Sequence, residues 1–372
     1  MANTVSTDAL RPEIWKEELF KDSIDNLYFT RKGLMGEGPN NVVQIMSDLK
    51  KSKGDTITIG LTAKLSGAGV TGDNELEGNE EAISPYSESI SIDQLRNAVR
   101  LTGKKDEKIN AYNMRKDAKD KLSMWRQENI ERQVFLKLAG VTNTTLTDTA
   151  GTTVGALCAW SNTPDYIPDA TTNAGTGDRY LCADYASGAT SIADTDLITP
   201  NLISRVKVKA ATASPKILPL RIDGVDHYVM FIHPRQAFDL QNNAVFAQAQ
   251  REAATRGSKN PVFTGALGMW NNVIIHEHEY VPFLDIDVAL NSFRGAASGT
   301  DFAAVDAYRA LLCGRQAAVF AECSNDQGWV EETFDYGNKH GFSTSILGGI
   351  QKVMFNSLEY GVVALDTAAT AV

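Results

Sequence analysis

The chain has 372 residues, 43% hydrophobic and 22% charged, with a formal net charge of −10 and a pI near 5.1. That length is enough for a sizeable core in two or three lobes, and the composition is that of an ordinary globular protein. The acidic balance argues against a dedicated nucleic-acid binder, which needs clustered Lys and Arg, and no run of about 18 apolar residues is present to span a membrane.

The N-terminus MANTVSTDALRPEIW lacks the basic and apolar regions of a signal peptide. Residues 1–53 read as an arm carrying one amphipathic piece, PEIWKEELFKD. Pro12 suits a helix start, and Ile14, Trp15, Leu19 and Phe20 share one side. In GDTITIGLTAKL, Ile57, Ile59 and Leu61 alternate with polar residues, and YSESISID at 86–93 alternates again. Between them SGAGVTGDNELEGNEEAISP has no apolar periodicity. Residues 54–95 therefore predict a long two-stranded hairpin with a polar tip, which is marginal alone and has to lean on something else.

The clearest helix runs from about Asn110 to Ala139 and ends at Gly140. Ala118, Leu122, Trp125, Val134 and Leu138 make an incomplete apolar stripe among charged faces. At roughly 45 Å, it is longer than one small lobe needs. Residues 141–199 change character: up to Asp196 they hold seven Asp, thirteen Thr, one Arg and no Lys. That composition offers little core and predicts an exposed insertion. Beyond it, ITPNLISRVKVKAAT predicts a helix, ILPLRIDGVDHYVMFIHP a hairpin turning at Asp223-Gly224, Pro234 to about Arg256 more helix, and GVVALDTAA a last buried strand. Four cysteines without a CxxC pair, Cys158, Cys182, Cys313 and Cys323, indicate free buried thiols in a reducing compartment.

Charge is unevenly spread. Leu65 to Leu95 holds no Lys or Arg but seven acids, whereas Arg96 to Lys137 holds twelve basic residues against six acidic ones. The two segments fold back on each other, match between copies of the chain, or are simply solvated faces. If they match between copies, the contact candidates are Glu75, Glu77, Glu80 and Glu81 against Arg96, Arg100, Lys104, Lys105 and Arg115, with Trp15 and Phe20 as apolar candidates on the arm.

Three short motifs invite chemistry. GAGVTG satisfies GxGxxG after a strand, but Gly78 and Pro85 prevent the helix that a dinucleotide site needs, and the acids repel phosphate. DNELEGNEEAIS imitates an EF-hand loop but ends in Ser84 where a bidentate Glu belongs. VIIHEHEYVP, residues 273–282, is not HExxH. On a strand its histidines, His276 and His278, share one face and Glu277 and Glu279 the other, and a catalytic zinc would need a third protein ligand.

Several long blocks resemble one family in fixed order: GDTITIGLTAKLSGAGVTGDNELEGNEEAI, SISIDQLRNAVRL, FIHPRQAFDL, NPVFTGALGMWNNVIIHEHEYVP and GVVALDTA. They are similar to the major capsid proteins of tailed bacteriophages, in the group known from N-four-type podoviruses. The resemblance covers nearly the whole chain and is weakest in residues 1–40 and in the insertion. It implies an α+β Hong Kong 97-type capsid fold: arm 1–53, E-loop hairpin 54–95, peripheral domain 96–140 and 313–372 with a spine helix, insertion 141–199, and a mostly axial domain at 200–312. It further implies a structural protein without active site, metal or cofactor, self-assembling into the icosahedral head around double-stranded DNA. The expected partners are other copies in hexamers and pentamers, scaffolding, portal and decoration proteins, and DNA by weak non-specific contact, with no membrane. Assembly is expected in the host bacterial cytoplasm. The competing readings are a metal-dependent hydrolase using His276, His278 and a carboxylate, or an adhesion protein whose insertion binds.

Overall fold

A computed structural model describes residues 27–47, 54, 56–62, 69–78, 80–83, 85–109, 114–140, 145–147, 153–156, 179–185, 192–222, 224–254, 267–284, 307–323, 329–355 and 358–370. Trp15, Phe20 and most of the expected insertion lie outside them.

The chain enters through a helical turn, α1 (Tyr28–Arg31), and strands β1 (Met35–Gly36) and β2 (Val43–Met46). The expected hairpin follows as β3 (Thr56–Thr62) and β4 (Pro85–Ser91), paired from Thr56↔Ser91 to Thr62↔Pro85, and then β5 (Asp93–Arg100). Next come α2 (Lys104–Ile109) and the long helix α3 (Met114–Ala139). Gly140 closes α3 in the left-handed region at φ 69°, a conformation glycine adopts without strain. Beyond it are β6 (Thr145–Thr147), β7 (Thr153–Ala156), β8 (Tyr180–Cys182), α4 (Pro200–Thr212), β9 (Leu220–Ile222), β10 (Val225–Ile232), α5 (Pro234–Asn242) and α6 (Ala244–Ala254). The remaining strands are β11 (Gly268–Trp270), β12 (Val273–Glu277), β13 (Phe283–Leu284), β14 (Ala307–Cys313), β15 (Ala318–Glu322), β16 (Val330–Phe334), β17 (Lys339–Lys352), β18 (Met354–Phe355), β19 (Leu358–Glu359) and β20 (Val362–Ala368).

Two sheets organise these elements. In the first, the 14-residue β17 pairs with β5, β15 and β16, while β2 lies parallel to β15 and β1 to β2. A side chain at Gly348 would put its Cβ 2.6 Å from the Ala321 carbonyl oxygen, so the strand can pack this tightly only without one. The second sheet runs β11-β12-β10-β14-β20-β8, with β9 and β13 added to β10 and β14. Its central strands are buried on both faces, which their near-continuous apolar sequences require. Tyr228, Met230 and Ile232 of β10 face Leu202, Ile203 and Val206 of α4. Val229 and Phe231 face the other way, toward Ile130, Val134, Phe135 and Leu138 of α3. That second core continues to Phe320, Ile346 and Ile350 of the first sheet, so α3 wedges between the two.

Three expectations need correction. Residues 179–182 are not part of an exposed insertion. β8 is buried and runs parallel to β20, and Arg179 is also buried, donating to the Glu359 and Pro215 carbonyls. An average over a Thr/Asp-rich stretch concealed the short apolar run Tyr-Leu-Cys. Val362–Ala368 packs with the long helix but also pairs along its full length with β14, which the expected division put in the other domain, because both are apolar enough for the middle of the second sheet. The helix expected from Pro234 to Arg256 is two helices broken at Asn243, which is extended at φ −67°, ψ 123°.

The second sheet buries one charged pair within a dense set of hydrogen bonds. Arg309 donates from Nε and Nη2 to the two oxygens of Asp366, each at 2.8 Å, and from Nη1 to the carbonyl of Ala139 at the end of α3. The Tyr180 hydroxyl completes the group on Asp366 at 2.8 Å. Asp366→Ala would leave a buried guanidinium uncompensated and should cost about 3–5 kcal/mol in chemical denaturation of the soluble subunit. Lys121→Ala, which breaks an exposed i,i+4 pair with Asp117, should cost less than about 0.5 kcal/mol.

Candidate inter-subunit surface

The hairpin is anchored at its base and free of core at its tip. Ile57 and Ile90 are buried, and with Ile59, Leu61 and Tyr86 they pack on Val319 and Ala321 of the first sheet and on Val353 and Phe355 just beyond it. Glu88 accepts a hydrogen bond from the Gln351 amide at 2.6 Å on the same side. The hairpin therefore leans on its own subunit over its inner half.

The described tip residues are exposed apart from Val70, which is half-buried, and Glu75, Glu77, Glu80 and Glu81 are all accessible. Glu80 folds back to accept the Gly78 N–H at 2.7 Å, where Gly78 sits at φ 89°. Leu76 and Ile83, 61% and 65% exposed, flank these acids. Sequence reasoning passed over both, because they lie in a stretch without periodicity. Their signal was simply a large aliphatic side chain with no core position to occupy.

The basic segment divides into accessible and occupied members. Arg96, Lys104 and Lys105 are exposed on β5 and α2. Arg100 is also exposed but lies flat over the Phe334 ring, 4.2 Å from its centroid. Arg115 forms an ion pair with Glu331 of its own chain and approaches the Phe342 ring, so it is the candidate least available to a neighbour. Along α3 the two halves differ. Between Met114 and Trp125 only Ala118 and Leu122 are buried, whereas from Ile130 to Ala139 all but Arg132 and Leu136 are, Glu131, Gln133 and Lys137 included. The half from Met114 to Trp125 is thus the accessible one, and it covers Val99 and Leu101 through Ala118 and Leu122; Arg96 and Arg100, which alternate with Val99 along β5, lie on the other face of that sheet.

His276 and His278 are on one face as alternation requires, with Glu277 and Glu279 exposed. They do not lead out of the core. His276 is buried, with its Nδ1 3.0 Å from the Tyr28 hydroxyl, and His278 lies between the rings of Tyr28 and Phe135, each 4.6 Å away. Among the described residues no three His, Cys, Asp or Glu side chains converge to hold a metal ion. Burial lowers both imidazoles to a pKa of about 4, with Lys32 adding to the effect on His276.

Cutting Ile90 back to Ala tests the anchor: it should cost about 2–5 kcal/mol in denaturation, and a loss below about 1 kcal/mol would mean that the hairpin base is not part of the core.

A model of the phage capsid protein family matches residues 3–371. The chain is 31% identical over 374 residues to the major capsid protein of Pseudomonas phage KPP25, across 96% of this chain and 94% of that one. Among solved structures, the capsid of Ralstonia phage GP4 is similar with a TM-score of 0.73 and 28% identity, over 100% of this chain and 95% of that chain. The capsid asymmetric unit of cyanophage Pam1 shares the fold over the whole of both chains, with a TM-score of 0.71 and 22% identity. The mixed helices and strands described above are those of a Hong Kong 97-type capsid subunit. The chain belongs to the phage capsid protein family and is a major capsid protein, a structural part of the virion that self-associates into a shell.

Proposed function

We propose that copies of this chain close into an icosahedral head of hexamers and pentamers around double-stranded DNA, with the 54–95 hairpin serving as an E-loop laid over the basic segment of a neighbouring subunit. The observation that carries this reading is the division within the hairpin. Its inner half is bound to its own subunit through Ile57 and Ile90, while its acidic tip extends without a core of its own. The basic residues that complement it are exposed individually on β5, on α2 and along the first half of α3, the spine helix of this reading.

Such contacts are heterologous, one surface of a subunit meeting a different surface of the next, and these close into rings when the rotation permits. Each exposed pair contributes only about 0–1 kcal/mol, so the effect comes from repetition around the shell. Salt weakens it, because screening reaches about 10 Å at 0.1 M ionic strength. With a net charge of −10, the subunit binds packaged DNA weakly and without sequence preference. Assembly takes place in the host bacterial cytoplasm, with scaffolding, portal and decoration proteins as further partners. No catalysis enters this account.

Changing Glu75, Glu77, Glu80 and Glu81 together to Lys should leave a folded, soluble subunit whose thermal midpoint moves little, since surface positions away from the core usually stay within about 0.5 kcal/mol. The variant should fail to close shells at low salt when viewed by negative-stain microscopy. Normal shells would show the tip to be a solvated loop. Loss of the folded subunit would show that the acids serve its own fold.

A further inference from the structure

The assembly surface makes no use of His276 and His278, yet both sit where the N-terminal segment meets the rest of the subunit. Tyr28 is enclosed there. Its N–H donates to Glu131 Oε1 of α3 at 2.6 Å, and its hydroxyl meets His276 Nδ1. Phe29 beside it packs on Phe135 and Phe231, at 5.1 and 5.4 Å between centroids. His278 holds the other side of Tyr28, and its Nδ1 accepts the Tyr280 N–H at 3.1 Å. That nitrogen must therefore be unprotonated, because an imidazolium would set N–H against N–H.

We propose that His276 and His278 are an acid-sensitive latch: neutral, they hold residues 27–34 against the long helix, and protonated, they release that segment while both sheets stay folded.

The charged and titratable groups around the latch come from three elements. The N-terminal segment contributes Tyr28, Arg31 and Lys32, the long helix Glu128, Glu131 and Arg132, and the strand end Glu277, Glu279 and Tyr280. Two of the nearby influences favour an imidazolium: Glu131 Oε2, 3.8 Å from His278 Nε2, and the face of Phe135. Burial outweighs them and keeps both rings neutral at pH 7. A released histidine titrates near 6.5 and a latched one near 4, so between those values the released state binds more protons and acidification favours it. At pH 5 the bias is about 30-fold for each ring. Glu131 acts in the opposite sense. Burial raises its carboxyl above the ordinary range, so it binds a proton more readily when latched and offsets part of the release.

Hydrogen exchange on the full-length subunit tests this. The amides of Arg31, Lys32, Gly33 and Leu34 are hydrogen-bonded within the segment. After correction for intrinsic pH dependence, their protection should fall at least about 10-fold between pH 7.5 and 5.0, while that of Phe231 and Leu311 holds. In the double variant His276→Gln, His278→Gln the segment should stay protected at pH 5.0. Unchanged protection in the wild type, or an equal fall in the variant, overturns the proposal. If the double variant does not fold, imidazole titration of the wild type by NMR decides. A release midpoint set by two imidazoles titrating well below 6.5 supports the latch; both titrating near 6.5 overturns it.

Discussion

Arg309 and Asp366 meet with almost no water around them, at 0% and 1% side-chain exposure. An isolated charge in such a place costs several kcal/mol, so the pair is tolerable only with good geometry and every remaining hydrogen-bonding position used. The geometry is good and both partners are bonded further: two parallel N–H···O contacts, a third donor on Ala139 and the Tyr180 hydroxyl on the carboxylate. One buried pair thereby fixes the mutual placement of β14, β20, β8 and the C-terminal end of α3. A slip of one residue in the β14–β20 register would turn Arg309 or Asp366 to the wrong face, since side chains alternate. The guanidinium also lies at the negative end of the helix dipole, where a cation is favoured.

With its C-terminal end pinned and enclosed between the sheets, α3 can leave its other half at the surface. That half carries exposed basic side chains, and β5 and α2 add Arg96, Lys104 and Lys105, also exposed. The hairpin is built on the opposite principle: apolar at its base and acidic at its tip. The same subunit thus holds one anchored, acidic projection and one anchored, basic ridge. Neither needs the other in order to fold, and that independence suits a contact made between copies.

Much of this was legible from residues alone. The alternation of Ile57, Ile59 and Leu61 marked β3, Gly140 marked the end of α3, and Gly224 marked the entry into β10, because each signal is local. What sequence did not reveal depends on distant partners. Tyr180–Cys182 is too short for its pattern to stand out and becomes a strand only beside β20. Arg115 looked as available as Arg96 until Glu331 appeared next to it from the far end of the chain. His276 and His278 read as candidate metal ligands on one strand face, and the docking of Tyr28, some 250 residues earlier, against both rings could not be seen from the sequence.

The central claim is that the hairpin contact is made between subunits rather than within one. The most direct test is cryo-electron microscopy of shells assembled from the purified chain, at a resolution that traces residues 56–91. The account predicts closed shells in which the tip carrying Glu75, Glu77, Glu80 and Glu81 crosses onto the basic ridge of a neighbour. A hairpin that lies back along its own subunit throughout the shell, with that ridge open to solvent, would contradict it.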